Sequence, residues 1–326
     1  MYMLMKSYDL LPLLLPLSLA FILMSCAGTR YADAPPLEFS DIDYGFETHS
    51  HAGAHHPEIA YIDEGEGDKT LLLVHGLASN AGFWRYNIDA LARDYRVIAI
   101  DLPGYGKSAK GNFPYGMAWW AEQIHHFIAE MQLENVVYVG HSMGGQIGIT
   151  LSLNHPEAIN GLVLAAPAGV EAFSPGSGDW LKSVFTMEGV KLTPEPQVRE
   201  NLSINFHRWD KKWEWMVEER MRMAKAEEMD EFAYTVVNSV AAMVDEPTSE
   251  RLHDVSHATL VVYGEYDGLI PNRFLNPGFP ADVFAKAGER IPENQLVELP
   301  NAGHMLMMER PEAFNTAVAM FARGLE

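Results

Sequence analysis

From residue 58 onward the chain alternates between short apolar runs and longer stretches with helical periodicity. The apolar runs are about five residues long and rich in Val, Leu and Ile, which is typical of strands buried on both faces. Between them, the segment Met117–Met131 repeats its apolar side chains at the spacing of an amphipathic helix. Strands that alternate with helices predict an α/β fold, a mostly parallel central sheet covered by helices on both faces. The predicted strands are Glu58–Ile62, Thr70–Val74, Arg96–Ile100, Asn135–Val139, Gly161–Ala165, Thr259–Tyr263 and Gln295–Leu299.

A longer apolar run, Leu10–Met24, stands near the start of the chain and is followed by Ser25 and Cys26. The run is short for a membrane span and carries two prolines, whereas its length suits an export signal, so residues 1–25 are expected to be a signal peptide. The stretch Leu23–Cys26 resembles the lipobox of bacterial lipoproteins, in which cleavage precedes a cysteine that is then acylated. The resemblance implies a lipid anchor on Cys26 and a location in the bacterial cell envelope. An uncleaved anchor and ordinary secretion are the alternatives.

Residues 26–57 are expected to form a tether and the N-terminal edge of the fold, because this stretch is polar and contains Pro35–Pro36 and Gly45. It also carries a cluster of four histidines. Imidazoles this close in sequence could bind a metal ion; in the simpler interpretation they are surface histidines on a flexible segment and edge hairpin, since no neighbouring residue completes an obvious site. The sequence leaves both interpretations open. The four residues are His49, His51, His55 and His56.

Composition and charge narrow the class of partner. The 326 residues include 44 Asp and Glu against 23 Lys and Arg, a formal net charge of −21, without a basic run. Such an excess repels phosphate backbones, so we expect a small-molecule or lipid partner and no nucleic acid. The same charge disfavours docking to anionic lipid, so membrane attachment would rest on acylation. The single cysteine excludes an internal disulfide and a cysteine-only metal cluster.

The segment Gly140–Gly145, with the sequence GHSMGG, follows a predicted strand and precedes the helix-compatible stretch Gln146–Asn154. It matches the pattern G-x-S-x-G, in which glycines allow a sharp turn that exposes the serine hydroxyl above the sheet. Parallel α/β sheets bind ligands beyond the carboxyl ends of their strands, where this turn lies. Ser142 is therefore the predicted nucleophile, and a glycine-rich anion-binding turn is the alternative.

A serine hydroxyl is a weak nucleophile unless a base removes its proton, and the base needs a carboxylate that fixes its tautomer. Asp267 and His304 lie in loops that directly follow two predicted strands. The chain order Ser, Asp, His predicts a catalytic triad of Ser142, Asp267 and His304. Glu265 is the nearest rival for the carboxylate. Three other histidines near strand ends are expected to be structural: His75, His141 and His257.

The loops that carry the predicted triad, together with the stretch His75–Leu77, resemble the α/β-hydrolase superfamily over roughly residues 58–322. The resemblance implies an α/β-hydrolase fold and an oxyanion hole built from the backbone amides of Leu77 and Met143. Because the donors belong to the main chain, Leu and Met side chains are compatible with this role. Such enzymes need no metal or organic cofactor, and none is expected here.

The segment Asp101–Ser108, with the sequence DLPGYGKS, shares part of the phosphate-loop pattern. That pattern requires glycine where Asp101 stands and a helix immediately afterwards, so the segment is interpreted as a structural turn. Dehalogenases and epoxide hydrolases of the superfamily carry Asp at the nucleophile position. Ser142 in this chain argues against both chemistries.

An insertion without clear strands, residues 171–257, separates two parts of the predicted core, residues 58–170 and 258–326. It resembles the helical cap that many superfamily members place over the active site. Its aromatic and methionine side chains either line an apolar acyl pocket or pack the cap onto the core. The candidates for the pocket are Trp209, Trp213 and Met216.

Together these features predict a serine carboxylic-ester hydrolase, an esterase or lipase acting through an acyl-enzyme on esters with an apolar acyl chain. By motif, the sequence is similar to capped esterases and monoacylglycerol-type lipases. One alternative is a carbon–carbon bond hydrolase of ring-cleavage dienoates, whose sequences share the Ser-Met-Gly-Gly turn. The export signal disfavours it, because those substrates are cytoplasmic. A second alternative, a binding lipoprotein that keeps the fold without catalysis, is disfavoured by the intact triad.

Overall fold

The computed structural model describes residues 29–272 and 275–325. The predicted signal peptide, residues 1–25, and the predicted lipidation site, Cys26, lie outside the described residues. Within the described ranges eight strands form a single sheet. They are β1 (His49–His51), β2 (Ile59–Glu64), β3 (Thr70–Val74), β4 (Arg96–Ile100), β5 (Val136–His141), β6 (Gly161–Ala165), β7 (Thr259–Gly264) and β8 (Asn294–Leu299).

The strands lie in the order β1-β2-β4-β3-β5-β6-β7-β8. All neighbours from β4 to β8 are parallel, whereas β2 is antiparallel to both β1 and β4 at one edge. The predicted α/β fold with a mostly parallel sheet is confirmed. Because the carboxyl ends of the parallel strands share one edge of the sheet, loops distant in sequence meet there.

Helices surround the sheet, and in the described part of the chain none is both long and apolar enough to cross a bilayer. Five of them belong to the connection between β6 and β7. The helices are α1 (Ile88–Leu91), α2 (Met117–Glu130), α3 (Met143–Asn154), α4 (Pro175–Val184), α5 (Met187–Leu192), α6 (Glu195–Ser203), α7 (Glu214–Met223), α8 (Met229–Asp245), α9 (Pro280–Arg290), α10 (Leu306–Glu309) and α11 (Pro311–Gly324).

The central strands follow the hydrophobic pattern closely because they are buried on both faces. All five residues of β3 and all six of β5 are buried. The bounds of β3, β4 and β6 are those predicted. β5 begins one residue later than expected, at Val136, because Asn135 has a positive φ of 50° and cannot continue an extended strand.

The N-terminal segment departs from the expectation of a flexible tether. Phe39, Ile42 and Tyr44 are each at most 1% exposed and belong to the main hydrophobic core. The interpretation of all four clustered histidines as surface residues is also wrong for His56, which is buried. The prediction of a tether used the polar average composition of the segment. Burial depends on individual positions, and a few apolar residues are enough to pack the segment onto the core.

The turn that begins at Asp101 has a structural role. The buried carboxylate accepts hydrogen bonds from Tyr44 Oη, the Ala81 amide and the Lys107 amide, each at 2.7 Å. Gly106 has a φ of +49°, and a Cβ there would lie 2.2 Å from Cγ of Asp101. The aspartate thus joins the N-terminal segment, the loop after β3 and its own turn, where a phosphate loop would require glycine.

Candidate active site

Ser142 occupies a sharp turn between β5 and α3. Its backbone angles, φ 52° and ψ −117°, lie outside the common regions, a strain of about 1–3 kcal/mol that surrounding contacts must hold. The Ser142 amide donates to the Ala165 carbonyl at 3.0 Å. A Cβ at Gly140 would lie 2.3 Å from the Gly144 oxygen, and one at Gly144 would lie 2.5 Å from the Val74 oxygen. Glycine at both positions is therefore what lets the strand, turn and helix pack this closely.

His304 and Asp267 meet in loops that follow β8 and β7. Nδ1 of His304 lies 2.8 Å from Oδ2 of Asp267, and the two side chains are only 3% and 0% exposed. The other carboxylate oxygen, Oδ1, accepts from the amides of Leu269 at 2.8 Å and Ile270 at 3.0 Å. These bonds orient Oδ2 toward the imidazole. With its proton on Nδ1, His304 has Nε2 available to accept a proton.

The rival carboxylate, Glu265, has a different partner. Its Oε2 accepts from the Asn301 amide at 3.0 Å, in the loop that leads to His304. It therefore supports the backbone of that loop, whereas Asp267 contacts the imidazole directly.

The other strand-end histidines support neighbouring loops. Nε2 of His75 accepts from the Leu102 amide at 3.0 Å. His141 is fully buried, and burial followed by the nearby His304 ring lowers its pKa well below the usual value. As a neutral ring, His141 donates through Nε2 to the His304 carbonyl at 3.0 Å. Nδ1 of His257 lies 3.0 Å from Oγ of Ser152, on a different part of the molecule.

Glu309 is a positioning residue that the sequence reasoning missed. Its carboxylate accepts from the Gly303 amide at 2.6 Å, one residue before His304. It also accepts from the amides of His207 at 3.2 Å and Arg208 at 3.3 Å, in the insertion. One carboxylate thus fastens the insertion to the histidine loop. The stretch Glu309–Phe314 resembles the superfamily, but the partners of this carboxylate lie in two other segments and are not apparent from the sequence.

Leu77 and Met143, the residues predicted to form the oxyanion hole, belong to segments that adjoin Ser142. A Cβ at Gly76 would lie 3.0 Å from Cβ of Ser142, so the loop that continues into Leu77 lies directly against the serine. Met143 is the first residue of α3. Amides in the first turn of a helix lack an intrahelical acceptor, and the helix dipole favours negative charge there.

A cavity of about 660 Å³ opens onto these residues and contains Leu77, Ser142 and His304 in its lining. Much of its wall comes from the insertion. Besides two histidines, the lining contains an acidic and a basic side chain. They are Glu171, whose pKa burial raises, and Arg220, which donates through Nη2 to the Ala78 carbonyl at 2.5 Å. Apolar wall residues include Phe173, Leu181, Phe185, Val190, Leu202 and Val236.

The predicted pocket residues Trp209, Trp213 and Met216 do not line this cavity, which corrects the sequence expectation. Trp213 and Met216 are 1% and 3% exposed and belong to the main core, where Trp213 stacks on Phe206 with ring centroids 5.0 Å apart. Trp209 and Trp213 instead border a separate depression of about 340 Å³. Trp213 and Met216 thus pack the insertion onto the core, and other apolar side chains of the insertion form the cavity wall.

Two groups of side chains in the described part of the chain bring three metal-ligand atoms together. They are His51, His56 and Glu130, and His125, His155 and Glu157. Neither group includes a residue of the cavity wall.

Comparison with known proteins places this geometry in context. A family model described as alpha/beta hydrolase fold matches residues 69–311. A 2-hydroxy-6-oxo-6-(2'-aminophenyl)hexa-2,4-dienoic acid hydrolase from Metapseudomonas resinovorans is 30% identical over 269 residues, 81% of this chain and 87% of that protein. A pimeloyl acyl-carrier-protein methyl ester esterase from Yersinia enterocolitica is 27% identical over 79% of this chain and 95% of its own. The crystal structure of a probable hydrolytic enzyme from Pseudomonas aeruginosa superposes with a TM-score of 0.77 at 26% identity, covering 88% and 98% of the two chains.

Proposed function

Because the chain belongs to the alpha/beta hydrolase fold family, we propose that it is a serine carboxylic-ester hydrolase that works through an acyl-enzyme. The observation that carries the proposal is the meeting of Ser142 and a carboxylate-bound His304 at the wall of one apolar cavity. The nucleophile, the base and an apolar surface for the acyl chain meet at one place. An ester bound there would have its carbonyl carbon beside Ser142.

In the proposed mechanism Oγ of Ser142 attacks the ester carbonyl carbon while Nε2 of His304 removes its proton. Asp267 stabilises the imidazolium that forms, and the amides of Leu77 and Met143 bind the oxyanion. The tetrahedral intermediate then collapses, and the alcohol leaves with the proton held by His304. A water molecule, activated by the same histidine, hydrolyses the acyl-enzyme and regenerates Ser142.

An apolar acyl chain is the substrate feature that best fits the cavity wall. Leu181, Val190 and Leu202 of the insertion face the same space as Ser142. Each buried methylene of an acyl chain contributes about 0.8 kcal/mol, so longer chains should bind more tightly until the cavity is filled.

Substituting Val190 with tryptophan should shorten the preferred acyl chain. Val190 lies on α5 and lines the cavity, so a larger side chain there removes space that an acyl tail would occupy. We expect kcat/KM for medium-chain p-nitrophenyl esters to fall by about 10- to 100-fold, with the acetate ester nearly unaffected. The measurement is a chain-length series of p-nitrophenyl esters.

Leu192 on the same helix provides the matched control. It is 72% exposed and is not part of the cavity wall, so Leu192→Trp should leave the profile unchanged. Parallel changes in both variants, or no change in Val190→Trp, would contradict the proposed acyl site.

A second candidate function is hydrolysis of a carbon–carbon bond in a ring-cleavage dienoate. It is favoured by Arg220, a residue of the cavity wall, because a guanidinium is suited to binding a substrate carboxylate. The relative from Metapseudomonas resinovorans bears the name of such a hydrolase. Measured on the same preparation, kcat/KM for a coloured dienoate and for p-nitrophenyl esters separates the two functions. Higher values for the esters support the first proposal, and higher values for the dienoate replace it with the second.

We also propose that the enzyme is exported and held in the bacterial cell envelope by acylation of Cys26. The support is the apolar run Leu10–Met24 and the lipobox-like stretch that ends at Cys26. Cys26→Ser should move the protein from the membrane fraction to the soluble exported fraction. Intact-mass measurement should show diacylglycerol and fatty-acyl mass on the wild type only; an unmodified wild-type mass would reject the proposal.

A further inference from the structure

The histidine cluster of the N-terminal segment folds against the last residue of α2, Glu130. Nδ1 of His51 lies 3.2 Å from Nε2 of His56, which in turn lies 4.0 Å from Oε2 of Glu130. All three atoms lie within 4.8 Å of one another. A tetrahedral zinc site with bonds of 2.0–2.1 Å separates its ligand atoms by about 3.3 Å. The two nitrogen atoms are therefore spaced as such a site requires, and the carboxylate oxygen would need to move closer to them by about 1 Å.

The orientation of the His56 ring favours metal binding. Its side chain is fully buried, and Nδ1 donates to the Pro57 carbonyl at 2.6 Å. With the proton on Nδ1, the lone pair of Nε2 points toward His51 and Glu130. Metal-ligating histidines commonly have their second nitrogen fixed by a backbone carbonyl in this way, because the bond sets both tautomer and ring direction.

Glu130 is held in place by the segment that carries the histidines. Its Oε1 accepts from Nδ1 of His55 at 2.8 Å and from the His55 amide at 3.1 Å, while Oε2 accepts from the Ala54 amide at 2.9 Å. Oε2, the oxygen nearer His56, accepts this one bond and retains a lone pair for a further ligand. Glu130 could therefore act as a metal ligand beside His51 and His56 while it keeps its hydrogen bonds to the segment.

Gly53 packs against two of the donors, where only glycine fits. A Cβ at this position would lie 2.4 Å from Nε2 of His56 and 2.5 Å from Oε2 of Glu130. Any other residue would place a methyl-sized group against both atoms. Glycine thus lets the loop pass directly beside both donor atoms.

We propose that His51, His56 and Glu130 form a binding site for a divalent transition-metal ion of the zinc class, which fastens the segment around Gly53 to α2. Two imidazoles and one carboxylate suit this class of ion, and water would complete the coordination. None of the three ligands lines the catalytic cavity, so the ion stabilises the N-terminal segment and takes no part in ester hydrolysis.

The neighbouring group His125, His155 and Glu157 is the weaker candidate and serves as a control. The two imidazole rings are stacked at 4.1 Å with an angle of 11°, so their in-plane lone pairs run nearly parallel and do not converge on one ion. Glu157 is 67% exposed and lies 3.9 and 4.0 Å from the two Nδ1 atoms. A variant that lacks His125 and His155 has fewer histidines in this region but keeps all three proposed ligands, so it controls for nonspecific zinc binding.

Zinc titration of the metal-free full-length protein tests the proposal. The wild type should bind zinc with an affinity at least about 100-fold higher than His51→Ala, Glu130→Gln or Gly53→Ala, because each variant removes or blocks one donor. The double variant His125→Ala/His155→Ala should retain the high-affinity site. Competition with a chromophoric chelator gives the affinities and the stoichiometry.

Thermal unfolding gives a readout independent of the titration. Zinc should raise the Tm of the wild type and of the control variant by a few degrees, and that of His51→Ala much less, because an ion that binds only the folded state stabilises it. His51 is half-buried on an edge strand, so its alanine variant should fold even if a His56 variant does not. Equal zinc affinity in wild type and His51→Ala, or loss of binding only in the control variant, would overturn the proposal.

Discussion

Ser142→Ala is expected to lower kcat for p-nitrophenyl esters by about 10⁴- to 10⁶-fold, with only a small change in KM. The alanine side chain removes the attacking oxygen but leaves His304, Asp267 and the flanking amides in place. The cavity wall is also unchanged, so ester binding should persist. The residual rate would reflect water attack assisted by the remaining groups. Steady-state kinetics of wild type and variant on one ester provide the measurement.

Ser79 provides the matched control because it is the other serine in the cavity wall. Its hydroxyl donates to the Leu77 carbonyl at 3.3 Å, and its residue is 6% exposed. Ser79→Ala should keep most of the activity and should still react with a fluorophosphonate probe, whereas Ser142→Ala should not. A folded wild-type protein that the probe fails to label would contradict the esterase proposal and favour a binding protein with this fold.

The sequence was sufficient to predict the fold and the placement of the proposed triad residues at strand ends. Strands such as β3 and β5 are buried on both faces, so their apolar runs stand out against any neighbouring stretch. The glycines around Ser142 and the strand-end positions of Asp267 and His304 are local signals of the same kind. Each is visible within about ten residues, and the parallel sheet then brings the three loops to one edge.

The residues that were missed or misassigned depend on contacts between distant parts of the chain. Glu309 acts through three backbone amides, two of them about one hundred residues earlier in the insertion. Trp213 and Met216 have the same amphipathic spacing whether a helix faces a cavity or the core. Periodicity identifies the buried face of a helix but does not reveal what covers it. The histidine cluster was ambiguous for the same reason, because Glu130 joins it only in three dimensions.

Asp267→Asn is expected to lower kcat by about 10⁴-fold while the protein stays folded. The amide oxygen can still accept from the amides of Leu269 and Ile270, so the loop should keep its shape. The amide nitrogen then faces Nδ1 of His304, where a carboxylate oxygen now lies at 2.8 Å. Two donors cannot both keep their protons there, and the imidazole would move its proton to Nε2. In that tautomer His304 cannot accept the proton of Ser142, and the positive charge of an imidazolium would lack its partner.

Glu265→Gln tests whether the loss of kcat in Asp267→Asn comes from the wrong tautomer of His304. The alternative is that any loss of negative charge beside the loop that carries His304 has the same effect. Glu265 lies two residues from Asp267 and accepts from the Asn301 amide, a bond that glutamine can also accept. We expect at most a few-fold loss of kcat in this variant, because its side chain does not contact the imidazole. Thermal unfolding of both variants would verify that the folded population is unchanged. A larger loss of kcat in Glu265→Gln than in Asp267→Asn would assign the carboxylate of the triad to Glu265. Only the residue that sets the tautomer of His304 can lower kcat so strongly without destabilising the fold.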